Sequence, residues 1–411
     1  MTNPDVLVVG GGSAGVAAAV ATAEAGASVV VLEKNAFLGG KATAAYVGTV
    51  CGLYYRSEDP LARYVDNGFP KIFAEQLQHE SGTKPFFYKN GLHFLPYNRF
   101  AFLRLCDDFL EKNKVSLCLH AHLTHVKKEG DHIVEVGAAV HNCPILFHPK
   151  TVIDTAGEAV VARLAGVGIF ENEEYQASAQ VFEMAGIATD DAQILNLSLL
   201  RNIQKGVADG IYPKDYERLS TVPGSLQAGR AVFKLGLPLG VGNDPALVTR
   251  LELFARKAVG EIVAFLKAQN VLFKNAWLTM IAPEVGIRTG PRNMGKVVLQ
   301  KEDVMDCRKQ DDAVARGAWP IEFWAPGKNP RMEYFAPGDY YDIPAGALQS
   351  AFLKNLFFGG RNISASEDAI ASARVIGTCL ATGYAAGRMA VGLVRNEIYE
   401  RPVAEIRRLM L

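Results

Sequence analysis

The sequence predicts an α/β fold: a parallel sheet carrying a β-meander, joined to a second, α+β lobe. Three observations predict it. A continuous apolar run, Val6–Val9, passes through three glycines into an alanine-rich stretch, Ser13–Ala25, and then into a second apolar run, Ser28–Leu32. That order reads strand, helix, strand, and unbroken apolar runs mark strands buried on both faces. Short runs at Val115–Leu119, Thr151–Asp154 and Leu356–Gly359 have the length of further strands. The third observation is length: 411 residues exceed what one small core organises.

Composition narrows the class. Lys+Arg and Asp+Glu both number 43, so no global field draws the chain to nucleic acid or anionic lipid. Glu24, several glycines and Glu33 interrupt the apolar stretch Val16–Leu32, which argues against a membrane span. The opening "MTNPDVLVVG" has no basic segment of a secretory leader. Six scattered cysteines form no C-x-x-C pair, which disfavours a disulfide framework, a zinc ribbon or a dithiol centre. A reducing cytoplasm is the expected location.

The first unit has the parts of a nucleotide cradle. Gly10, Gly12 and Gly15 give G-x-G-x-x-G between strand and helix. Gly10 permits a tight turn, Gly12 lets a pyrophosphate approach the backbone, and Gly15 lets the helix pack on the strand. Ser13 and Ala14 open the helix, whose free N–H groups and positive dipole end face the phosphates. Glu33, beside Lys34, stands about 20 residues on, at the strand tip, where a carboxylate reaches ribose hydroxyls. The strand before, the helix after and the acid at this distance together predict a Rossmann-like dinucleotide site.

The glycines do not choose between NAD and FAD. The next stretch, "EKNAFLGGKAT", brings a second pair, Gly39-Gly40, followed by Lys41-Ala42-Thr43. It resembles the FAD-dependent oxidoreductases with a glutathione-reductase-type nucleotide domain, a group that includes relatives of the succinate dehydrogenase and fumarate reductase flavoprotein subunits. There the segment lies along the diphosphate and ribityl chain. "KTVIDTAGEAVVARLAGVG" (Lys150–Gly168) resembles the family's A-T-G-D strand end, with Ala156 and Gly157 in a swapped order that keeps the glycine. "EVGIRTGPRNMGKVVLQKEDV" matches at Arg288, Arg292, Gly295 and Asp303 and departs at Thr289 and Pro291. Tyr341–Leu393 resembles the closing FAD segment, with Gly360-Arg361, Ser364, Arg374, Cys379 and Gly383 in family places.

The resemblance implies FAD as cofactor and a closing helix, Gly377–Val394, whose N-terminus, near Arg374, Thr378 and Cys379, faces the flavin. A positive dipole end there favours the anionic reduced ring. It also implies that backbone near Leu123 lies beside the adenine. The alternative for the last helix is ordinary packing. No histidine lies between Lys41 and His79, where relatives with covalent flavin carry theirs, so non-covalent FAD is expected.

The domains expected are a discontinuous FAD-binding domain, residues 1–50, 99–169 and 341–411, and a substrate/cap domain, residues 51–98 and 170–340. Arg99–Lys114 has apolar residues at helical spacing, and Glu129-Gly130-Asp131 turns a hairpin. Pro245–Ala268 has a helical pattern. "GAWPIEFWAPGKNP" (Gly317–Pro330) reads as a loop near a pocket, or as surface packing of large rings.

His120, His122 and His125 could share a metal, but no ligand set completes a site, so no metal is expected and exposed hairpin residues are the simpler reading. The candidate catalytic residues are Arg288 and Arg292, which suit carboxylates, and Tyr341, which can move a proton. For both arginines the alternative is a structural ion pair. "GLPLGVG" (Gly236–Gly242) lacks, on the sequence, the strand and helix of a second fingerprint, and with no dithiol a pyridine-nucleotide disulfide reductase is excluded.

The function expected is hydride transfer between flavin N5 and a small organic substrate, carboxylate-bearing or a peptide side chain, with O2, a quinone or a carrier protein as electron acceptor. No nucleic-acid partner and no membrane span are expected. An NAD-dependent Rossmann dehydrogenase, and a flavoprotein whose FAD is structural or serves RNA modification, are the alternatives.

Overall fold

The computed structural model describes residues 3–240, 244–326 and 329–411. A five-stranded parallel sheet organises the first half. Its strands are β1 (Val6–Val9), β2 (Val29–Leu32), β3 (Ser116–Cys118), β4 (Thr151–Asp154) and β5 (Leu356–Phe358), in the order β5-β4-β1-β2-β3. All four pairings are parallel. The unbroken apolar runs follow from burial on both faces. Val6 and Val8 enter one core and Leu7 and Val9 the other, as a period of two requires.

On the first face α1 (Ser13–Glu24) crosses α2 (Ile376–Val394). Their small residues are required by distance. A Cβ added at Gly383 would lie 2.1 Å from the Ala14 carbonyl oxygen, and one at Gly387 would lie 2.4 Å from that of Ala18. The helix Arg99–Lys112 completes this face, capped by the Asn98 side chain, which accepts from the Phe100 and Ala101 amides. The second face is covered by the three-stranded meander Ala121–Glu129, His132–Val140 and Cys143–Phe147, whose first turn has Gly130 at φ 58°.

The second lobe has its own antiparallel sheet: Ser220–Thr221, Ala231–Gly236, Ala179–Ala185 and Trp277–Ile281, in that spatial order. One face packs on the helices Ala192–Ala208 and Pro245–Gln269 through Phe182, Met184, Phe233 and Leu235. The alternate residues, Val181 and Val232, point the other way, with Val222 and Ala282.

Two sequence expectations change. A strand, Ala231–Gly236, does precede "GLPLGVG", and a helix begins at Pro245. That strand is antiparallel and lies outside the nucleotide-binding sheet, and residues 241–243 fall outside the described residues. Residues near 299–323, read with the second lobe, contribute Leu299, Val314, Ala315 and Ile321 to the first core, because Ala313–Gly317 pairs with Tyr341–Pro344. Among the described residues no helix is long and apolar enough to cross a membrane, and no group of His, Cys, Asp and Glu is arranged to hold a metal. His120 stacks on His141, while His125 faces Glu135 at 3.0 Å.

Candidate functional site

A cleft of about 650 Å³ runs from the glycine turn, between the lobes, to the tryptophan-rich segment. Its first end is built by β1, α1 and β2. Gly10 has φ 101°, and a Cβ there would meet the Ala156 backbone at 2.8 Å, so the turn admits only glycine. A Cβ on Gly15 would lie 1.8 Å from the Gly10 carbonyl oxygen, so Gly15 serves the helix–strand contact. Gly12 differs. Its backbone, φ −69° and ψ −177°, suits any residue, and the nearest atom to an added Cβ is the Gly40 Cα at 3.8 Å. Protein packing does not require glycine there, and a side chain would project into the cleft that Gly12 lines.

Gly39 and Gly40 lie against this turn. The Gly39 amide donates to the Gly11 carbonyl at 2.9 Å, and Gly12 and Gly39 form a parallel bridge. Lys41 donates to Glu284 Oε2 at 2.6 Å, tying this wall to the other lobe. The Glu33 carboxylate accepts from the Gly11 amide at 2.7 Å and the Asn35 amide at 2.8 Å. Burial pushes its pKa above the usual carboxylate value in spite of these donors. Glu33→Gln replaces one acceptor oxygen by a donor facing an amide. The expected result is a roughly tenfold weaker hold on FAD, about one hydrogen bond, measured by flavin fluorescence on titrating apoprotein.

The middle of the cleft is closed by β4, β5 and α2. Asp154, buried at the end of β4, accepts from the Ala156 and Val161 amides and from Asn362, each at 3.0 Å. It shapes the turn carrying Ala156 and Gly157. Arg361 crosses to the other lobe, donating to the Ile287 carbonyl at 2.5 Å and to Glu158 at 3.2 Å. The start of α2 brings Val375, Ile376 and Cys379 to the cleft wall, where the Gly377 amide is held by the Cys51 carbonyl at 2.9 Å. Burial pushes the Cys51 and Cys379 thiols up to about 12, so neither is a thiolate nucleophile.

The far end carries charge. Lys234, Arg288, Glu322 and Arg374 all line it, with Trp319 and Trp324. Alternation in Ala231–Gly236 puts Phe233 and Leu235 in the core and Lys234 in the cleft. The Arg288 guanidinium lies 4.8 Å from the Trp324 ring centre, and its Nε donates to the Ala177 carbonyl at 2.9 Å. Arg374 donates to the Glu322 carbonyl at 3.2 Å and to Gln176 Oε1 at 3.3 Å. Its Nε and the Gln176 Nε2 are buried without a hydrogen-bond partner among the described residues. The Glu322 carboxylate is gripped by two indoles, Trp319 Nε1 at 2.8 Å and Trp324 Nε1 at 2.6 Å. Burial raises its pKa, but Arg374, Arg288 and Lys234 outweigh that and hold it below the ordinary value. Burial and the neighbouring Arg374 bring Arg288 down to about 10, still charged at neutral pH.

The structure thus brings to one cleft Gly10, Gly12, Ser13, Ala14, Glu33, Lys34, Gly39, Gly40, Lys41, Ala42, Ala156, Gly157, Arg288, Gly360, Arg361, Arg374 and Cys379. Other expected residues stand behind or away from it. Gly15 and Thr43 shape the walls, and the Thr43 hydroxyl donates to the Leu38 carbonyl at 2.6 Å. Thr378 is fully buried behind the helix start, and Leu123 packs under the meander. Arg292 points into the protein, donating to the Ala365 carbonyl at 2.8 Å and to Asn172. Tyr341 is fully buried, its hydroxyl 2.7 Å from Ser372. Neither lines the cleft, so the geometry does not support a catalytic role for them. Lys234 and Glu322 are not among the candidates that the sequence singles out, although a lysine within "AVFKLG" and a glutamate between two tryptophans are visible signals. Residues 327 and 328 of that last stretch lie outside the described residues.

A family model described as "FAD dependent oxidoreductase" matches residues 5–409. No curated protein matches the chain in sequence. Among solved structures, the chain is similar to BexE, studied for oxidation during BE-7585A biosynthesis, at 11% identity over 99% of this chain and 67% of that one, with a TM-score of 0.51. It is similar to the anhydrotetracycline hydroxylase OxyS from Streptomyces rimosus at 12% identity over 99% and 66%, TM-score 0.50. A geranylgeranyl bacteriochlorophyll reductase-like protein from Thermoplasma acidophilum matches at 13% identity over 100% and 83%, TM-score 0.47. At such identities the two likenesses that reach 0.50 speak for the fold.

Proposed function

The chain belongs to the FAD-dependent oxidoreductase family and uses FAD, and from that premise we propose that it moves a hydride between FAD and a small organic anion held at the far end of the cleft. The residues fit the cofactor. Gly12 leaves open the space a diphosphate needs, α1 points its N-terminus there, and Glu33 stands where the ribose would lie. The start of α2 would set a positive dipole end against the ring. When bound, FAD supplies hydride acceptance and release.

The observation that carries the substrate class is charge. Lys234, Arg288 and Arg374 face the cleft with one carboxylate, Glu322, among them. Glu322 is already satisfied by two indole donors, so the cations retain capacity for an anion from outside. Arg288 is the substrate-facing fork of this reading. Trp319, Trp324, Phe94 and Met332 give the same end apolar walls, which exclude water and strengthen the charged contacts.

The test is anaerobic mixing of holoprotein with a panel of organic acids, amines and neutral alcohols, following the flavin band at about 450 nm. Carboxylates are expected to bleach it. Bleaching by amines or neutral alcohols with none by carboxylates would refute the anionic substrate.

A further inference from the structure

Lys234 occupies a position that anion binding does not by itself explain. Among the described residues its ammonium has no ion pair and no hydrogen bond, and it lies 5.7 Å from the centre of the Trp324 ring. The carboxylate that would ordinarily neutralise it, Glu322, is turned onto two indole N–H groups. Arg288 shares the same indole ring at 4.8 Å. An amine in the cleft beside two guanidinium groups, its natural counter-ion held elsewhere, is poised to lose its proton.

We infer that the substrate is a hydroxy acid whose carboxylate is held by Arg288 and Arg374, and that Lys234 takes the proton of its hydroxyl. The inference rests on the proposed oxidoreductase reading and deepens it. The atoms balance. The O–H bond breaks and its proton goes to the neutral Nζ of Lys234, the C–H bond breaks and its hydride goes to FAD, and the carbon–oxygen bond becomes a carbonyl. A hydroxyl is favoured over an amine because an ammonium substrate would add a further cation beside Lys234, Arg288 and Arg374, where the Glu322 carboxylate is already held by two indoles.

Among the described residues, titratable groups face Lys234 from several elements. Arg288, Arg374 and Glu322 line the cleft with it, as does Cys51. Arg218 packs against the end of the same strand and reaches toward the Ala325 carbonyl. Burial first, then Arg288, brings Lys234 down to about 8. About one molecule in ten then has a neutral amine at pH 7, against fewer than about one in a thousand for an ordinary lysine.

The experiment uses holoprotein, Lys234→Met and Lys234→Arg, with three readouts: anaerobic flavin reduction across pH by paired hydroxy and amino acids, dissociation constants for an unreactive carboxylate, and acetic anhydride labelling of Lys234 by mass spectrometry. The parent's reduction by hydroxy acids is expected to rise with pH to a plateau above about 8, and Lys234 to label at lower pH than surface lysines. Both variants should reduce about 100-fold or more slowly and lose the rise, with carboxylate affinity changed far less. Lys234→Arg keeps the charge, so it serves if the methionine variant does not fold. Unchanged rates and pH profiles, a loss confined to affinity, labelling like a surface lysine, or reduction by amino acids in preference would each overturn the inference while leaving the oxidoreductase reading. Flavin that no organic anion bleaches would overturn both.

Discussion

Gly12→Val is expected to abolish retention of FAD while leaving the fold intact. The Gly12 backbone lies at φ −69°, which valine adopts freely, and the nearest protein atom to an added Cβ is 3.8 Å away. The apoprotein should therefore melt within a degree or two of the parent, a surface-like change of about 0.5 kcal/mol. The cleft, however, loses the space next to the N-terminus of α1, where a diphosphate needs direct access to the amides. An affinity loss of at least about a thousandfold, ~4 kcal/mol, follows. Gly10→Ala is the contrasting control. At φ 101°, with the Ala156 backbone 2.8 Å from the new Cβ, the strain falls on the fold itself and costs about 1–3 kcal/mol in the apoprotein. Flavin content after purification and melting of both apoproteins separate the two. A Gly12→Val protein that retains stoichiometric FAD would remove the diphosphate from this turn.

Arg288→Ala carries the second large effect. The guanidinium faces the cleft over Trp324 and is fixed by its Nε on the Ala177 carbonyl. It is thereby oriented for a planar anion without rearrangement, and a bidentate pair with a carboxylate is among the stronger contacts a side chain makes. Removing it should raise the substrate dissociation constant by roughly 30- to 1000-fold, about 2–4 kcal/mol. FAD content should hold, because Arg361 and Lys41 hold the cofactor walls independently. Arg288→Lys should recover only part of the loss, since an ammonium keeps the charge but not the fork. Arg288→Ala that binds and reduces at the parent's rate would exclude this residue from the substrate site. Arg292→Ala should instead lower stability and leave substrate affinity alone, its fork being spent on Ala365 and Asn172.

The cofactor half of the cleft was legible because it depends on local sequence. A strand, a glycine turn and a helix are consecutive, and each glycine answers a short-range demand that can be named from the sequence alone. The glycine and alanine content of Gly377–Val394 signals a helix able to lie close to another backbone, but which backbone it meets, α1 at Gly383 and Gly387, came only from the fold. The charged far end, proposed for the substrate, was not legible, because it is assembled from distant elements. Lys234 reaches the cleft only because strand alternation turns it away from Phe233 and Leu235, and the register that decides this is set by pairing with Ala179–Ala185. Glu322 and its two tryptophans lie in a hairpin whose place depends on packing against the first core. Arg288 and Arg292 illustrate the limit most sharply. Four residues apart in one motif, they point to opposite destinations, one into the cleft and one into the protein, and nothing in their spacing tells which is which.

On this reading one extended ligand joins the glycine turn to the charged end of the cleft. A crystal structure of the holoprotein tests it most directly. The expected density places the FAD diphosphate against Gly12–Ala14 and Gly39–Lys41, the ribose at Glu33, and the isoalloxazine beside the start of α2 with Arg288 and Lys234 within reach of its open face. Flavin electron density elsewhere, or a ring turned away with Arg288, Lys234 and Glu322 outside its reach, would contradict it.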